Sequence, residues 1–506
     1  MNKQVIFLSV YLLAIVLATP SSLSWVVKTA FWLFSLYIFW IIRPSKLEAG
    51  NLPSQIQPGA AGKREINQYW LLLPLVILLV SRIIPFLHWP GVVPLGADAA
   101  AYLHNFESCF SNPSRNDCLS SPEITISNLL QLAGWSINGV LYGFYILSVV
   151  FVGLAVYLVT KEYFDRKAAI TSLIIFSLSS SQFLAYFAFY WKMMLAMGLT
   201  LVSFYLIKKK TYLVIPVAGL MGSLHPLSFL PFGLAMIAQF IFGQNKKFIF
   251  ISGTGILLIA FSINWQEFTN WLPYYTTSLG ITKNFPTDLT EVFIGHFVNF
   301  SYYRQLILIY LPFAIINLVQ IIWKRQANLI VFYFLANLLI IILNFIFHNR
   351  FIVLLDLAAI ILAGRPVLDF INSLRWTWAG RLIISLLIFG LVTSFSYQLW
   401  SIEPFITDPE EINELKSLAL TEKNSIALTN NRLYLPFLNA YSQRSVIELP
   451  LTRNNLVSYY SILDTYQQPI YLHLGEKTEN NPELKNNRLF KQVSKHIWQY
   501  QGGNKK

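Results

Sequence analysis

Residues Arg82–Tyr102 read RIIPFLHWPGVVPLGADAAAY. An apolar run beginning at Tyr69 enters this stretch, passes the intramembrane Arg82, and gives way to a polar segment in which Asp98 follows Gly96-Ala97 and precedes three alanines and Tyr102. The stretch reads as a membrane helix that empties into a polar loop around Asp98, at the mouth of a many-helix bundle. The fold class follows from repeating that reading along the chain.

The chain has 506 residues, of which 55% are hydrophobic and 12% charged, where an ordinary soluble domain carries about 25% charged residues. Apolar runs recur that are long enough to cross roughly 30 Å of hydrocarbon as helices. In lipid a helix satisfies its own backbone polar groups, and the alternating pattern of a membrane barrel is absent. The expected fold class is therefore an all-α polytopic membrane protein with about thirteen transmembrane helices and a small C-terminal α/β domain. Thirteen spans are expected near 4–19, 23–42, 69–89, 136–160, 168–188, 190–207, 211–224, 227–243, 248–264, 304–323, 327–347, 351–366 and 380–400. The opening MNKQVIFLSVYLLAIVLATPSS has the pattern of a signal peptide, but a second span follows within a few residues, so it reads as a retained first helix.

The net charge of +13 has a topological explanation that excludes nucleic acid as the partner. With the N-terminus inside, alternate loops hold Lys46 and Arg64, Lys161 and Lys167, Lys208–Lys210, Lys246 and Lys247, Lys324 and Arg325, and Arg375. Every inner loop is basic, as the positive-inside rule requires. The N-terminus is then cytoplasmic and the tail from Ser401 extracytoplasmic, which fits a multi-pass protein of a bacterial plasma membrane. The two cysteines, Cys109 and Cys118, fall in an outer loop, where an oxidising compartment permits a disulfide. All seven histidines lie outside or at outer helix ends.

Three segments result: an N-terminal hairpin with a basic loop over 1–68, a core over 69–400 with long outer loops at 90–135 and 265–303, and the tail over 401–506. In the tail, PEEINELKSLAL (409–420) and Asn454–Tyr466 read as helices, and Ser425–Leu428, Ser445–Glu448 and Ile470–Leu474 as strands. There is no tandem repeat, nucleotide-binding loop, zinc spacing or Gly-x-Ser-x-Gly elbow, so an ATP-driven pump in one chain is excluded.

Ionisable residues inside a membrane mark function by default. Arg82 lies in the outer third of its span, Lys192 stands at an outer turn in FAFYWKMMLAMG, His225-Pro226 ends a span, and Arg350 lies in FHNRF at an outer helix boundary. These four are candidates for holding a phosphate, which suits guanidinium and ammonium groups. Asp98 is the candidate general base: it takes a proton from an acceptor hydroxyl while the cations stabilise charge on a leaving phosphate. Tyr102, His296, Asp288 and Glu291 are candidates for contacting the acceptor. Asp356, six residues beyond Arg350, reads as a buried partner for a neighbouring helix.

At this point the chain resembles the GT-C superfamily of integral-membrane glycosyltransferases. The resemblance rests on Arg82, on Asp98-Ala-Ala-Ala-Tyr102 after an early span, on Lys192, His225-Pro226 and Asn349-Arg350-Phe351, and on the tail phrase LTNNRLYLPFLNAYSQRSVI (428–447). It implies a polyprenyl-phosphate-linked sugar as donor, membrane lipid as surroundings, Asp98 as catalytic base, and Arg350 and Lys192 as donor-phosphate ligands. Many relatives carry Asp-Glu where this chain has Asp98-Ala99. One branch uses a divalent metal held by several acids; no second acid adjoins Asp98, although Asp288 and Glu291 could approach from the other outer loop, so an obligatory metal is not favoured and no cofactor is expected. Two other readings are a transporter or lipid flippase, which usually shows internal repeats and midplane sites, and a polysaccharide ligase or polymerase of another membrane class.

Overall fold

A computed structural model describes residues 3–42, 71–88, 97–111, 122–187, 191–278, 297–345, 347–401, 409–429, 434–442, 444–448, 463–464, 466, 468–473 and 488–502. It divides into two compact units. The first comprises Met1–Ile83, Ile146–Tyr186 and Trp191–Trp400; the second comprises Ile84–Tyr145, Phe187–Tyr190 and Ser401–Lys506.

The helices run in chain order as α1 Lys3–Ala18, α2 Trp25–Ile42, α3 Leu72–His88, α4 Ala97–Ser111, α5 Pro122–Leu132, α6 Ile137–Tyr163, α7 Arg166–Leu178, α8 Ser180–Phe187, α9 Trp191–Lys208 and α10 Val214–Leu224. They continue as α11 Pro226–Phe242, α12 Lys246–Ser278, α13 Phe300–Leu306, α14 Leu311–Trp323, α15 Leu329–Ile342, α16 Phe351–Leu374 and α17 Trp378–Ser401. The tail adds α18 Pro409–Ser417, α19 Leu435–Ser442 and strands β1 Ile426–Thr429, β2 Ser445–Glu448, β3 Ile470–His473, β4 Phe490–Gln492 and β5 Ile497–Tyr500.

Among the described residues, six helices are long and apolar enough to span a membrane, or eight if each of two bent pairs counts as one span; five shorter apolar helices accompany them. The chain is a multi-pass membrane protein. Two of the thirteen expected spans coincide with the bent pairs. The stretch 168–188 is two helices, α7 and α8, at 54°, and 304–323 falls across α13 and α14, which meet at 100°.

Burial orders the first unit. The span ending in α16 is 89% buried, whereas those of α17 and α2 are 11% and 17% buried. A helix apolar on all sides and enclosed by protein is the centre of its bundle, so α16 is the axis, with α7, α14 and α15 packed on it. Apolar attraction between helices is weak in lipid, and small residues and interhelical hydrogen bonds take its place. Asn317 Nδ2 donates to the Leu362 carbonyl at 2.6 Å, and Ser172 Oγ to the Ile360 carbonyl at 3.2 Å. At Gly364 a Cβ would collide with Ser172 Oγ and stand 2.8 Å from the Ala168 carbonyl oxygen. We therefore expect Gly364→Ala to lower the melting temperature of the purified protein, with overpacking costing about 1–3 kcal/mol. Gly253→Ala, on α12 where nothing lies within 4 Å of the added Cβ, should leave it unchanged. Equal melting temperatures for the two variants would show that the α7–α16 crossing has slack.

In the second unit the tail forms a five-stranded sheet of order β2-β1-β3-β5-β4. β1 pairs parallel with β2 and β3, and β3 and β4 pair antiparallel with β5. β1 and β3 are buried at every position, as parallel strands covered on both faces must be. Their core is Ile426, Leu428, Ile470 and Leu472 with Phe490, Trp498 and Tyr500. α19 is the crossover between β1 and β2. α18 is fixed by a buried pair, His473 Nε2 to Glu411 Oε1 at 3.0 Å, and a partly buried one, His496 Nδ1 to Glu414 Oε2 at 2.8 Å. The expected helix over 409–420 is thus α18 followed by a 3-10 turn at Leu418–Leu420. The expected helix over Asn454–Tyr466 lies largely outside the described residues.

Candidate functional site

Asp98 belongs to the first turn of a helix, whereas the sequence places it in a polar loop or as the cap of a short helix AAAYLHNF. Ala is the strongest helix former, and Ala97–Ala101 carries the helical conformation through the acid, which occupies the first turn of α4. There the positive end of the helix dipole favours a carboxylate. Tyr102 follows at i+4, on the same face of the helix; both residues are half-buried. The opposite demand falls on Ala99, Ala100, Leu103 and Phe106, which are fully enclosed. α4 packs on α5 and on α19. Burial raises the Glu107 carboxyl of α4 above its ordinary range. The Tyr441 phenol of α19 is raised by burial and then by the charge of Glu107. Cys109, also on α4, is disulfide-bonded. The chain's other cysteine, Cys118, lies outside the described residues, as do Asp288, Glu291 and His296.

In the first unit the charges of Arg350 and Lys192 both act on His225. Each stands at a helix start: Lys192 is the second residue of α9, His225 caps α11, and Arg350 caps α16. His225 Nδ1 accepts the Ser228 backbone N–H at 3.2 Å and pairs with Ser228 Oγ at 2.8 Å. A nitrogen that accepts at Nδ1 leaves the proton of a neutral imidazole on Nε2. Burial first, then the charges of Arg350 and Lys192, hold this imidazole well below the ordinary histidine range. It is a neutral donor beside two cations. Helix starts present unpaired backbone N–H groups and positive dipole ends. Two cations and an N–H donor at helix starts have the charge to hold an anion. Phe347, at φ 52° in the left-handed region, turns the chain into the start of α16, and its ring lies 5.8 Å from the Arg350 guanidinium.

Arg82 is placed elsewhere. It is fully enclosed. Its Nη1 donates to the Ser177 carbonyl at 3.2 Å and Ser81 Oγ at 3.3 Å, and its Nη2 to the Phe176 carbonyl at 3.1 Å. The rings of Phe183, Tyr186 and Phe395 surround the guanidinium at 5.3–6.0 Å. It caps the carbonyl end of α7, where the helix breaks. Asp356 is enclosed too, and its partners, Ser179, Gln182, Tyr303 and Tyr310, were not singled out by the sequence reading. The available signal was the polar run Ser177–Gln182, S-L-S-S-S-Q, inside an apolar span.

No protein-family profile matches the chain, and no curated protein sequence matches it. Solved structures do. The fold is one seen in solved archaeal oligosaccharyltransferases. The particular likeness is to the oligosaccharyltransferase of Archaeoglobus fulgidus. In its apo form it aligns with a TM-score of 0.57 at 12% identity, over 81% of this chain and 70% of that one. The same organism's AglB, in complex with an inhibitory peptide and a dolichol-phosphate, aligns with a TM-score of 0.57 at 12% identity, over 80% and 69%. The form tethered to an acceptor peptide containing the NVT sequon aligns with a TM-score of 0.54 at 12% identity, over 80% and 69%.

Proposed function

We propose that this protein is a membrane glycosyltransferase that moves a sugar from a polyprenyl-phosphate-linked donor to a hydroxyl-, amide- or otherwise nucleophilic acceptor. The observation that carries the reading is that the charges of Lys192 and Arg350 both act on His225, each residue standing at a helix start, in a chain with the fold of solved oligosaccharyltransferases. The neighbour solved with dolichol-phosphate and peptide supports an isoprenoid phosphate as leaving group and makes a peptide one acceptor to test. The proposed step is a single displacement. The acceptor nucleophile attacks the anomeric carbon, the bond from that carbon to the phosphate oxygen breaks, and configuration inverts. Asp98 takes the acceptor's proton, while Lys192, Arg350 and the Nε2–H of His225 hold the departing phosphate. The disulfide-bonded Cys109 supports an extracytoplasmic position for α4, and the basic inner loops support a plasma-membrane protein with a cytoplasmic N-terminus.

The test is incubation of the protein in nanodiscs with a panel of polyprenyl-phosphate sugars and acceptors, with release of free polyprenyl phosphate measured. Release with one donor supports the reading; no binding of any polyprenyl phosphate overturns it. The proposal routes no step through a metal, because no second acid adjoins Asp98 in the sequence. On that proposal transfer is expected to survive EDTA. Loss on chelation, restored by magnesium or manganese, would bring Asp288 and Glu291 into the reaction as ligands.

A further inference from the structure

Asp356 lies in the second turn of α16, fully enclosed by protein. Its Oδ1 accepts from the Tyr310 hydroxyl at 2.6 Å and the Tyr303 hydroxyl at 3.4 Å. Its Oδ2 accepts from Ser179 Oγ at 2.9 Å and Gln182 Nε2 at 3.0 Å. All four donors are neutral, and among the described residues no cation pairs with the carboxylate. A buried carboxylate is costly unless its lone pairs are filled and its charge is offset. The filling comes from both breaks in the bundle. Tyr303 and Tyr310 flank the 100° bend between α13 and α14, and Ser179 is the non-helical residue at the 54° bend between α7 and α8.

The charges at that second bend are arranged in register with the chain. Ser179 Oγ accepts the Gln182 backbone N–H at 3.2 Å, so Ser179-x-x-Gln182 begins α8 as a capped helix. Gln182 then spends its side-chain amide on Asp356 and on the Val353 carbonyl at 2.9 Å. Asp356 thus faces the amide end of α8, while Arg82 holds the carbonyl end of α7. Each buried charge meets the half-dipole of opposite sign. The carboxylate and the guanidinium thus hold the two sides of one helix break.

We propose that Asp356 is a positioning residue for the phosphate site. Arg350 begins α16 six residues before Asp356, and Lys192 follows the end of α8 at Phe187 by five residues. Asp356 fastens α8 to α16, and so fixes the helix that leads to one cation against the helix that carries the other. The two tyrosines extend the same fastening to α13 and α14. The proposal rests on the phosphate site argued above.

The experiment measures binding of polyprenyl phosphate and of the matching phosphate-free polyprenol to the full-length protein in nanodiscs by native mass spectrometry. Wild type is expected to prefer the phosphate, and Arg350→Ala to lose that preference. Asp356→Asn is expected to weaken phosphate binding by about 10-fold, the scale seen when a group that orients a ligating side chain is removed. Polyprenol binding and helicity by circular dichroism should stay unchanged, a separation that general loosening of the bundle does not produce. Should Asp356→Asn fail to fold, Ser179→Ala and Tyr310→Phe each remove one donor and are expected to reduce the preference in smaller steps. Folded variants that retain the wild-type preference overturn the positioning role while leaving the phosphate site standing. A wild type without preference overturns the phosphate site itself, and the positioning role with it.

Discussion

Asp98→Asn is expected to lower sugar transfer by about 10²- to 10⁴-fold, the usual contribution of a positioned general base, while donor binding and folding persist. The substitution keeps size and shape and removes the group proposed to take the proton. It leaves in place the burial of Ala99, Ala100, Leu103 and Phe106 that seats α4, so the loss should fall on the chemical step. A steady-state comparison separates the outcomes: kcat falls and donor KM holds if Asp98 is the base. Full activity in this variant would assign the proton to another group. Tyr102, one turn along the same face, is then the next residue to substitute.

Arg350→Ala should weaken donor binding by roughly 10- to 150-fold, the equivalent of losing about 1.5–3 kcal/mol of charged hydrogen bonding. The half-buried guanidinium acts beside Lys192 on His225, so its removal takes away one of two positive charges at the site. Arg350→Lys should recover part of the affinity, because an ammonium keeps the charge and loses the bidentate fork. The measurement is the dissociation constant for polyprenyl phosphate across a salt titration. An alanine variant with unchanged affinity would remove Arg350 from the donor site.

Hydropathy made the bundle legible because lipid leaves so few alternatives for a backbone. It did not reveal the bends. Ser177–Gln182 is too short a polar run to interrupt a span-length average, and the turn between α13 and α14 is built from Ile307–Tyr310, which are apolar by composition. The same blindness affected the site. Arg82 looks like a phosphate ligand in sequence, because nothing there shows that two carbonyls at a helix break already hold it. Asp98 looks like a loop residue beside Gly96, although the alanines around it favour a helix. Lys192, His225 and Arg350 were legible as polar residues at the ends of apolar runs. That the charges of Lys192 and Arg350 act on His225 depends on where three helices begin, which is a tertiary fact. In the tail, Ser445–Glu448 is found where the pattern placed it, while α19 and the short strands β4 and β5 were not anticipated, since eight or fewer residues give periodicity little to work with.

The packing of α4 on α19 bears on how this protein can be recombined. The composition break at Ser401 invites a cut there, with the tail treated as an exchangeable accessory. Yet the helix that carries Asp98 rests on a helix lying between the first two strands of the tail, and residues Ile84–Tyr145 and Ser401–Lys506 belong to one compact unit. A chimera that exchanges the tail alone would mate a foreign α19 with the native α4. The sensible cassette is discontinuous: both segments must travel together, and substitutions accepted on one side of that helix pair set what the other side can accept.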